Sequence, residues 1–557
     1  GFFELRAALA VQVEGLLAGG VDLVLIETAQ DLLQVKAAVL GARDAMAAGG
    51  REVPIAAQVT VETSGTMLLG TEIGAALTVL EALEVDIVGM NCATGPELMQ
   101  EHVRALGRLA SRFVSVLPNA GLPRNVGGVA HYDLSPDELA RYLELFVREY
   151  GVSAVGGCCG TTPAHIRAVA ERVAGLVPRP RPAPQPAQVA SLYQAVALSQ
   201  SPPPLLVGER TNANGSKKFK ELLLAEDWDG MVDMAREQVG EGAHLLDVCT
   251  AFVGRSETRD MTEVLRRFAT QVTLPLVIDT TQLEVLEKAL GLVGGRAVVN
   301  SVNLEDGEEK ADLICALARE HGAALIALTI DEEGMAKTAD RKLAVARRIH
   351  DIATRRHGMP AEALLFDPLT FTIGSGDEDS RDAAVQTLDA IGRIKSALPG
   401  VSTLLGVSNV SFGLKPWPRQ VLSSVFLDEA IQRGLDAAIV NAAKITPVHQ
   451  LSAEDVEVTR DLIYDRRRPG YDPLFVFLAR FAGQDGDKRA QTDDAALPVD
   501  ERLRRAIIDG RRAGLLALLD RALVDRPALG IINAVLLDGM RVVGELFGAG
   551  KMQLPFV

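Results

Sequence analysis

Between residues 205 and 482 one pattern repeats eight times: a short apolar run, a polar residue, then a stretch with helical spacing. The apolar runs fall at 205–208, 245–248, 276–278, 297–299, 325–328, 364–366, 404–407 and 438–440. Each is too short for a helix and long enough for a buried strand. Strands alternating with helices make a parallel sheet, and eight such units close a (β/α)8 barrel of the TIM type. Chemistry on such a barrel sits at the C-terminal strand ends. Here those ends carry Glu209, Asp247, Asp279, Asn300, Thr329, Asp367, Asn409 and Asn441.

Any one of these residues could simply cap the helix that follows it. That reading is poor for all of them together. Carboxylates and carboxamides dominate, and the strand ends offer few cations. A carboxylate can accept two parallel bonds from a 2-amino group and a ring N–H, so the ring suits a neutral heterocycle such as a pterin. A phosphate ligand would instead ask for a glycine-rich loop with Lys or Arg. Asp247 and Asp279 could also be metal ligands, but no histidine or closely spaced carboxylate accompanies them.

Residues 1–177 show the same alternation with five apolar runs, at 23–26, 54–58, 85–89, 113–116 and 152–155. Ser135-Pro136-Asp137-Glu138 opens one of the intervening helices with a cap residue and a proline at its first position. Five strands are the C-terminal part of a second barrel in tandem; three more, and an N-terminal segment, are expected before Gly1. Counted back from the last strand, Cys158 and Cys159 follow strand eight, Cys92 ends strand six and Glu27 ends strand four. Alternate strands feed the same interior layer. The three sulfurs, two of them inside Gly156-Gly157-Cys158-Cys159-Gly160, can therefore meet at one rim. Three converging thiolates make a zinc site with an open fourth position. The competing readings are a buried cysteine acting as a small hydrophobe, and Glu27 capping the next helix.

Two segments punctuate the chain. Pro178-Arg179-Pro180-Arg181-Pro182-Ala183-Pro184-Gln185-Pro186 can neither continue a helix nor pair in a sheet, so 178–204 reads as an extended linker. Residues 483–497 are polar and unpatterned, a second linker. Residues 498–557 read as the start of a helical bundle, with helices over 501–519 and 531–547, where Phe547 and Leu554 would serve as inter-helix packing. Only 4% of the chain is aromatic against 48% hydrophobic, so the cores are built from Ala, Val, Leu and Ile, as parallel sheets prefer. A formal charge of −16 argues against a nucleic-acid partner. No apolar run reaches the roughly 18 residues of a membrane span. Five cysteines, an odd number, make no disulfide framework and suit a reducing, cytoplasmic setting.

Four motifs are specific when taken together. They are Val207-Gly208-Glu209-Arg210-Thr211-Asn212, Gly406-Val407-Ser408-Asn409-Val410-Ser411-Phe412, Gly156-Gly157-Cys158-Cys159-Gly160-Thr161-Thr162-Pro163 and Asp538-Gly539-Met540-Arg541-Val542-Val543-Gly544-Glu545-Leu546-Phe547-Gly548. Together they resemble the cobalamin-dependent methionine synthase family, through essentially the whole chain. The resemblance implies a homocysteine barrel, a methyltetrahydrofolate barrel and the beginning of a helical cap over cobalamin. It implies Cys92, Cys158 and Cys159 as zinc ligands and Glu27 as the carboxylate for the substrate amino group. It places Glu209, Asn212, Asp279, Asn300, Asp367 and Asn409 around the pterin, with Asp247 and Ser301 as weaker matches. Phe547, Leu554 and Val557 match residues shielding the methyl face of the corrin. The family's cobalt-ligating Asp-x-His-x-x-Gly motif is not in this chain, so a cobalamin-binding domain and a reactivation domain are expected as partners. The implied reaction passes methyl from 5-methyltetrahydrofolate through cobalamin to homocysteine, with Asn409 hydrogen-bonding N5 of the folate. Two other readings stay open at this point: a corrinoid–folate methyltransferase for a different thiol, and a non-catalytic scaffold that docks a cobalamin protein.

Overall fold

The structure, a computed structural model, describes residues 1–183, 186–374, 377–482, 497–508 and 514–548. Its first part is an open parallel sheet of β1 (Val24–Ala29), β2 (Ile55–Val59), β3 (Ile87–Asn91), β4 (Phe113–Leu117) and β5 (Ala154–Val155), each paired with the next in chain order. Register sets the two faces apart. Val24, Ile55, Val88 and Val114 share the face packed against the helices. On the other face Leu25 and Phe113 remain 43% and 49% exposed. The helix Pro136–Tyr150 starts where the sequence places it. Ser135 Oγ accepts from the Glu138 N–H, and Glu138 Oε2 accepts from the Ser135 N–H at 2.9 Å, a reciprocal cap.

The second part is a closed parallel barrel. Its strands are β6 (Leu205–Gly208), β7 (Leu245–Val248), β8 (Leu276–Asp279), β9 (Val298–Val302), β10 (Ala324–Leu328), β11 (Leu364–Asp367), β12 (Ser402–Gly406) and β13 (Ala437–Val440). Leu205 pairs with Ala437 to close the ring. Leu205, Val207, Leu245, Val277, Ile326 and Leu404 fill the interior, so the barrel is a packed core and its chemistry is confined to the ends.

The linker contains an element the proline count hides. Gln188–Ala190 and Ala195–Ala197 form an antiparallel hairpin. Val189 and Leu198, both buried, join the barrel-interior cluster. The Ala190 N–H bonds the carbonyl of Arg296, just ahead of β9, so the hairpin sits at the N-terminal end of the barrel. Burying two apolar side chains outweighs the extended preference of the prolines before them.

The sheet and the barrel also meet directly. Buried Lys36 donates to the carbonyls of Leu290 at 2.9 Å and Val293 at 3.3 Å. Arg6 bridges Asp44 at 2.6 Å and Glu320 at 2.5 Å. In the tail, one helix over 501–519 is not what forms. Val499–Ile508 and Leu515–Asp525 are separate helices, the second entered from Gly514 at φ 76°, a left-handed conformation glycine adopts without strain. Ala528–Ile531, a π turn over Ile532–Leu536 and Leu537–Gly548 follow, packed around Leu503, Ala522, Ile531 and Val535. No single described helix is long and apolar enough to cross a membrane.

Two candidate sites at the strand ends

The cysteines meet. The sulfurs of Cys92, Cys158 and Cys159 all lie within 4.8 Å of one another, with Cys92 and Cys159 at 3.8 Å. A tetrahedral zinc with bonds of about 2.3 Å has sulfur–sulfur edges of about 3.8 Å, so the donor set fits that ion. All five cysteines are free. The backbone is shaped for the purpose. Cys92 and Ala93, directly after β3, have φ of 62° and 56°, a left-handed conformation that side-chain-bearing residues adopt at some cost. Gly160, at φ 78°, lies so close under Tyr132 that a Cβ there would fall 2.2 Å from the ring.

Buried Asn91 organises this rim, and the strand pattern did not single it out. Its Oδ1 accepts from the Thr28 N–H at 2.8 Å. Its Nδ2 faces Thr28 Oγ1 at 2.8 Å, Glu27 Oε2 at 3.5 Å and Cys158 Sγ at 3.8 Å. Glu27 stands inside β1 rather than at its end, exposed, beside the sulfur cluster. The Asn119 Oδ1 accepts from the Cys159 N–H at 3.0 Å and steadies the second half of the Cys-Cys pair. Asn91 could have been found from its place as the last residue of a strand that leads into a cysteine.

At the barrel, Asn212, Asp247, Asp279 and Asn300 form one network. Asn212 Nδ2 donates to Asp247 Oδ2 at 2.7 Å and to Asp279 Oδ2 at 2.8 Å, and Asn300 Nδ2 reaches Asp247 Oδ1 at 3.2 Å. Asn300 and Ser301 lie within β9, not beyond it, and Ser301 adds no bond to the network. Burial raises both Asp247 and Asp279, and the charge of Asp247 raises Asp279 further. Asp367 ends β11, buried; its Oδ1 accepts from the Leu369 N–H at 2.7 Å, and burial pushes it up to about 6. Asn409 sits in the 3-10 turn Val407–Ser411 after β12, its carboxamide without a protein partner among the described residues.

Beside this ring opens a cavity of about 1140 Å³, lined by Glu209, Ser408, Asn441, Arg419 and Lys444 among others. Ser408 Oγ donates to the Glu209 carboxylate at 3.0 Å. Burial raises Glu209 above the usual carboxylate range, opposed by the Ser408 bond and the charges of Arg419 and Lys444. Asn441 Oδ1 is buried with no partner among the described residues, a stranded acceptor facing a polar space. The rim is thus less poor in cations than the strand ends suggest. Arg419 comes from the helix Pro416–Gln432 and Lys444 from the turn Ala442–Lys444, positions a reading of strand ends does not sample. Phe547 lies in the helix Leu537–Gly548, but its side chain, with Leu554 and Val557, falls outside the described residues.

Residues 1–173 match the homocysteine S-methyltransferase family, 208–441 the pterin binding enzyme family and 499–557 the B12 binding domain. The chain is 51% identical over 563 residues to the methionine synthase of Mycobacterium leprae (strain TN). It is 51% identical over 561 residues to that of Mycobacterium tuberculosis (strain ATCC 25618 / H37Rv). Each match covers 99% of this chain and 47% of the relative, so the chain spans about half the length of the curated relatives it matches. Among solved structures, a Xanthomonas albilineans dihydropteroate synthase aligns over 94% of its own length and 47% of this chain, at 21% identity and a TM-score of 0.36, too low to carry an argument. Three family matches in succession and 51% identity along 99% of its length make the chain similar to about half the length of these methionine synthases.

Proposed function

We propose that this chain carries the two substrate-binding stations of a methyl transfer from 5-methyltetrahydrofolate, by way of cobalamin, to homocysteine, giving methionine and tetrahydrofolate. One observation carries the reading: a trio of thiols within 4.8 Å at the C-terminal end of one parallel sheet, and a carboxylate–carboxamide ring at the same end of a barrel, in a single chain. The consecutive parallel order of β1 to β5 supports reading the open sheet as part of a second barrel in tandem, within a module spanning 1–177. In the same reading 205–482 is the folate module and 498–557 the start of the cobalamin cap, to which Phe547, Leu554 and Val557 contribute. Free thiols at a rim suit a reducing cytoplasm.

Cys92, Cys158 and Cys159 would hold zinc, which when bound supplies a site where the homocysteine thiol, poorly ionised at neutral pH with a free value of roughly 8.5, becomes a thiolate. Exposed Glu27 is the proposed partner of the ammonium group of that amino acid; its approach to Asn91, which also faces Cys158, supports this role. Cobalamin, bound mainly by a partner domain, supplies the carrier for the methyl group. In the barrel, Asp247, Asp279, Asn212, Asn300 and Asp367 receive the donor and acceptor edges of the pterin, Ser301 lies beside them, and Glu209 with Ser408 closes one side. A tertiary amine leaves poorly unless N5 gains a proton or a strong hydrogen bond. Asn409, with its carboxamide without a protein partner among the described residues, is the proposed donor of that bond.

Replacing Cys158 by Ala tests the reading. The variant should lose stoichiometric zinc and homocysteine binding while folate binding persists. Full zinc content in the variant would refute the ligand assignment. Loss of both sites together would point to a folding defect, which circular dichroism identifies. Turnover of homocysteine with added free methylcobalamin separates the enzyme from a docking scaffold.

A further inference from the structure

Lysine is almost never fully buried in a folded protein. Lys342, in the helix Ala339–Asp351 on the outside of the barrel, is 0% exposed. Its ammonium group donates to the carbonyl of Pro368, reaches that of Leu369 at 3.3 Å and stands 4.9 Å from the centre of the Phe371 ring. These groups belong to the turn that leaves β11 immediately after Asp367. The turn is unusual in itself: Leu369 has φ 62°, a left-handed conformation that side-chain-bearing residues rarely adopt. It persists because it is held from two sides. Thr387 Oγ1, on the helix Ala383–Ala397, donates to the Leu369 carbonyl at 2.8 Å, and Lys342 holds both carbonyls from behind. The strained conformation brings the Leu369 N–H round to Asp367 Oδ1 at 2.7 Å.

We infer that Lys342 is a positioning residue for the pterin site, locking the Asp367-Pro368-Leu369 turn and supplying the positive charge that keeps Asp367 an ionised acceptor. This rests on the folate reading above. The charge balance is consistent with it. Burial pushes Asp367 up to about 6, and the Leu369 N–H bond and then the Lys342 charge oppose that rise. Burial also pushes Lys342 down to about 8, and Asp367 opposes that fall. The groups that face Lys342 are Asp367 from β11, the neutral Thr387 from the helix Ala383–Ala397 and the Phe371 ring. On its own helix, Asp340 and Arg341 are engaged elsewhere, with Arg393 and Asp331. Between about pH 6 and 8 the pair is therefore ionised on both sides, and Asp367 can accept two parallel N–H bonds from a pterin edge.

The test is the affinity of the chain for 5-methyltetrahydrofolate, titrated from acid to alkaline pH in the wild type, in Lys342→Met and in Lys342→Gln. Gln keeps an N–H donor for the turn but carries no charge, so it separates geometry from electrostatics. Wild-type affinity should fall on both sides of neutrality. In Lys342→Gln the alkaline loss should vanish and the acid midpoint should move upward. Lys342→Met should in addition bind at least about tenfold more weakly at pH 7, with zinc content at the cysteine site unchanged as evidence that the chain is folded. A purely structural lysine would weaken binding without moving the acid midpoint, and an unmoved midpoint in Lys342→Gln overturns the inference. If Lys342→Met does not fold, the Gln profile decides alone. A wild-type chain that binds no folate at any pH overturns the folate reading and this inference with it, a result distinct from bound folate with an unchanged profile.

Discussion

Asn91 shows what a single residue contributes at the thiol rim. It is buried, and its carboxamide serves Thr28, Glu27 and Cys158 at once. Asn91→Ala strands the Thr28 N–H, a loss of about 1–3 kcal/mol for an unsatisfied buried group. Chemical denaturation should show that loss, and calorimetric titration should show weaker homocysteine binding with zinc still present. If Asn409 donates to N5 as proposed, Asn409→Ala should lower kcat by on the order of a hundredfold with little change in folate affinity, because such a bond matters chiefly as the methyl leaves. An equal loss in affinity would make Asn409 a binding residue instead. The ring residues were legible in the sequence because barrel chemistry sits at strand ends, and Asp247, Asp279 and Asp367 each end or nearly end an apolar run. Asn441 was visible as a strand end but not as a stranded acceptor. Arg419 and Lys444, which line the cavity, and Lys342, behind the Asp367 turn, were not legible at all: they come from helices and turns, and side-chain aim depends on how those elements pack.

At the scale of elements, strand–helix alternation carried most of the fold. β1 to β5 and β6 to β13 fall where short apolar runs stand, and in the barrel a strand buried on both faces needs nothing but apolar residues. Some elements escaped that logic. The hairpin Gln188–Ala190 with Ala195–Ala197 has strands of three residues, too short to show a period, and follows a proline run that argues for extended chain. In place of one helix over 501–519 stand Val499–Ile508 and Leu515–Asp525, the second entered from Gly514 in a left-handed conformation. Fully buried Val189 makes the hairpin testable. Val189→Asp places an unpaired carboxylate against the barrel interior and should destabilise the protein by more than about 3 kcal/mol, since such a charge cannot be desolvated cheaply. Equilibrium unfolding measures it, and a variant as stable as the wild type would show that the hairpin does not close the barrel.

The molecule as a whole joins its sheet and its barrel through buried Lys36, which burial pushes down to about 7 against the pull of Glu320. His321, buried beside it, is kept neutral by burial and by the positive charges of Lys36 and Arg6. An unfolded lysine keeps its proton to about 10.4. Below the folded value both states are charged, and burial of the ammonium group exacts its full penalty. As pH rises from about 7 toward 10 the folded state has released its proton and the unfolded state has not, so stability climbs relative to a Lys36→Met variant, by at most about 1.4 kcal/mol per pH unit. Parallel melting curves of the two proteins across that range check the slope. The central claim concerns the three sulfurs, and X-ray absorption at the zinc edge of the purified chain addresses it most directly. The account predicts one zinc per chain with three sulfurs at about 2.3 Å and one lighter neighbour, becoming four sulfurs when homocysteine is added. A chain without stoichiometric zinc, or a zinc whose sulfur count does not change with homocysteine, would contradict it.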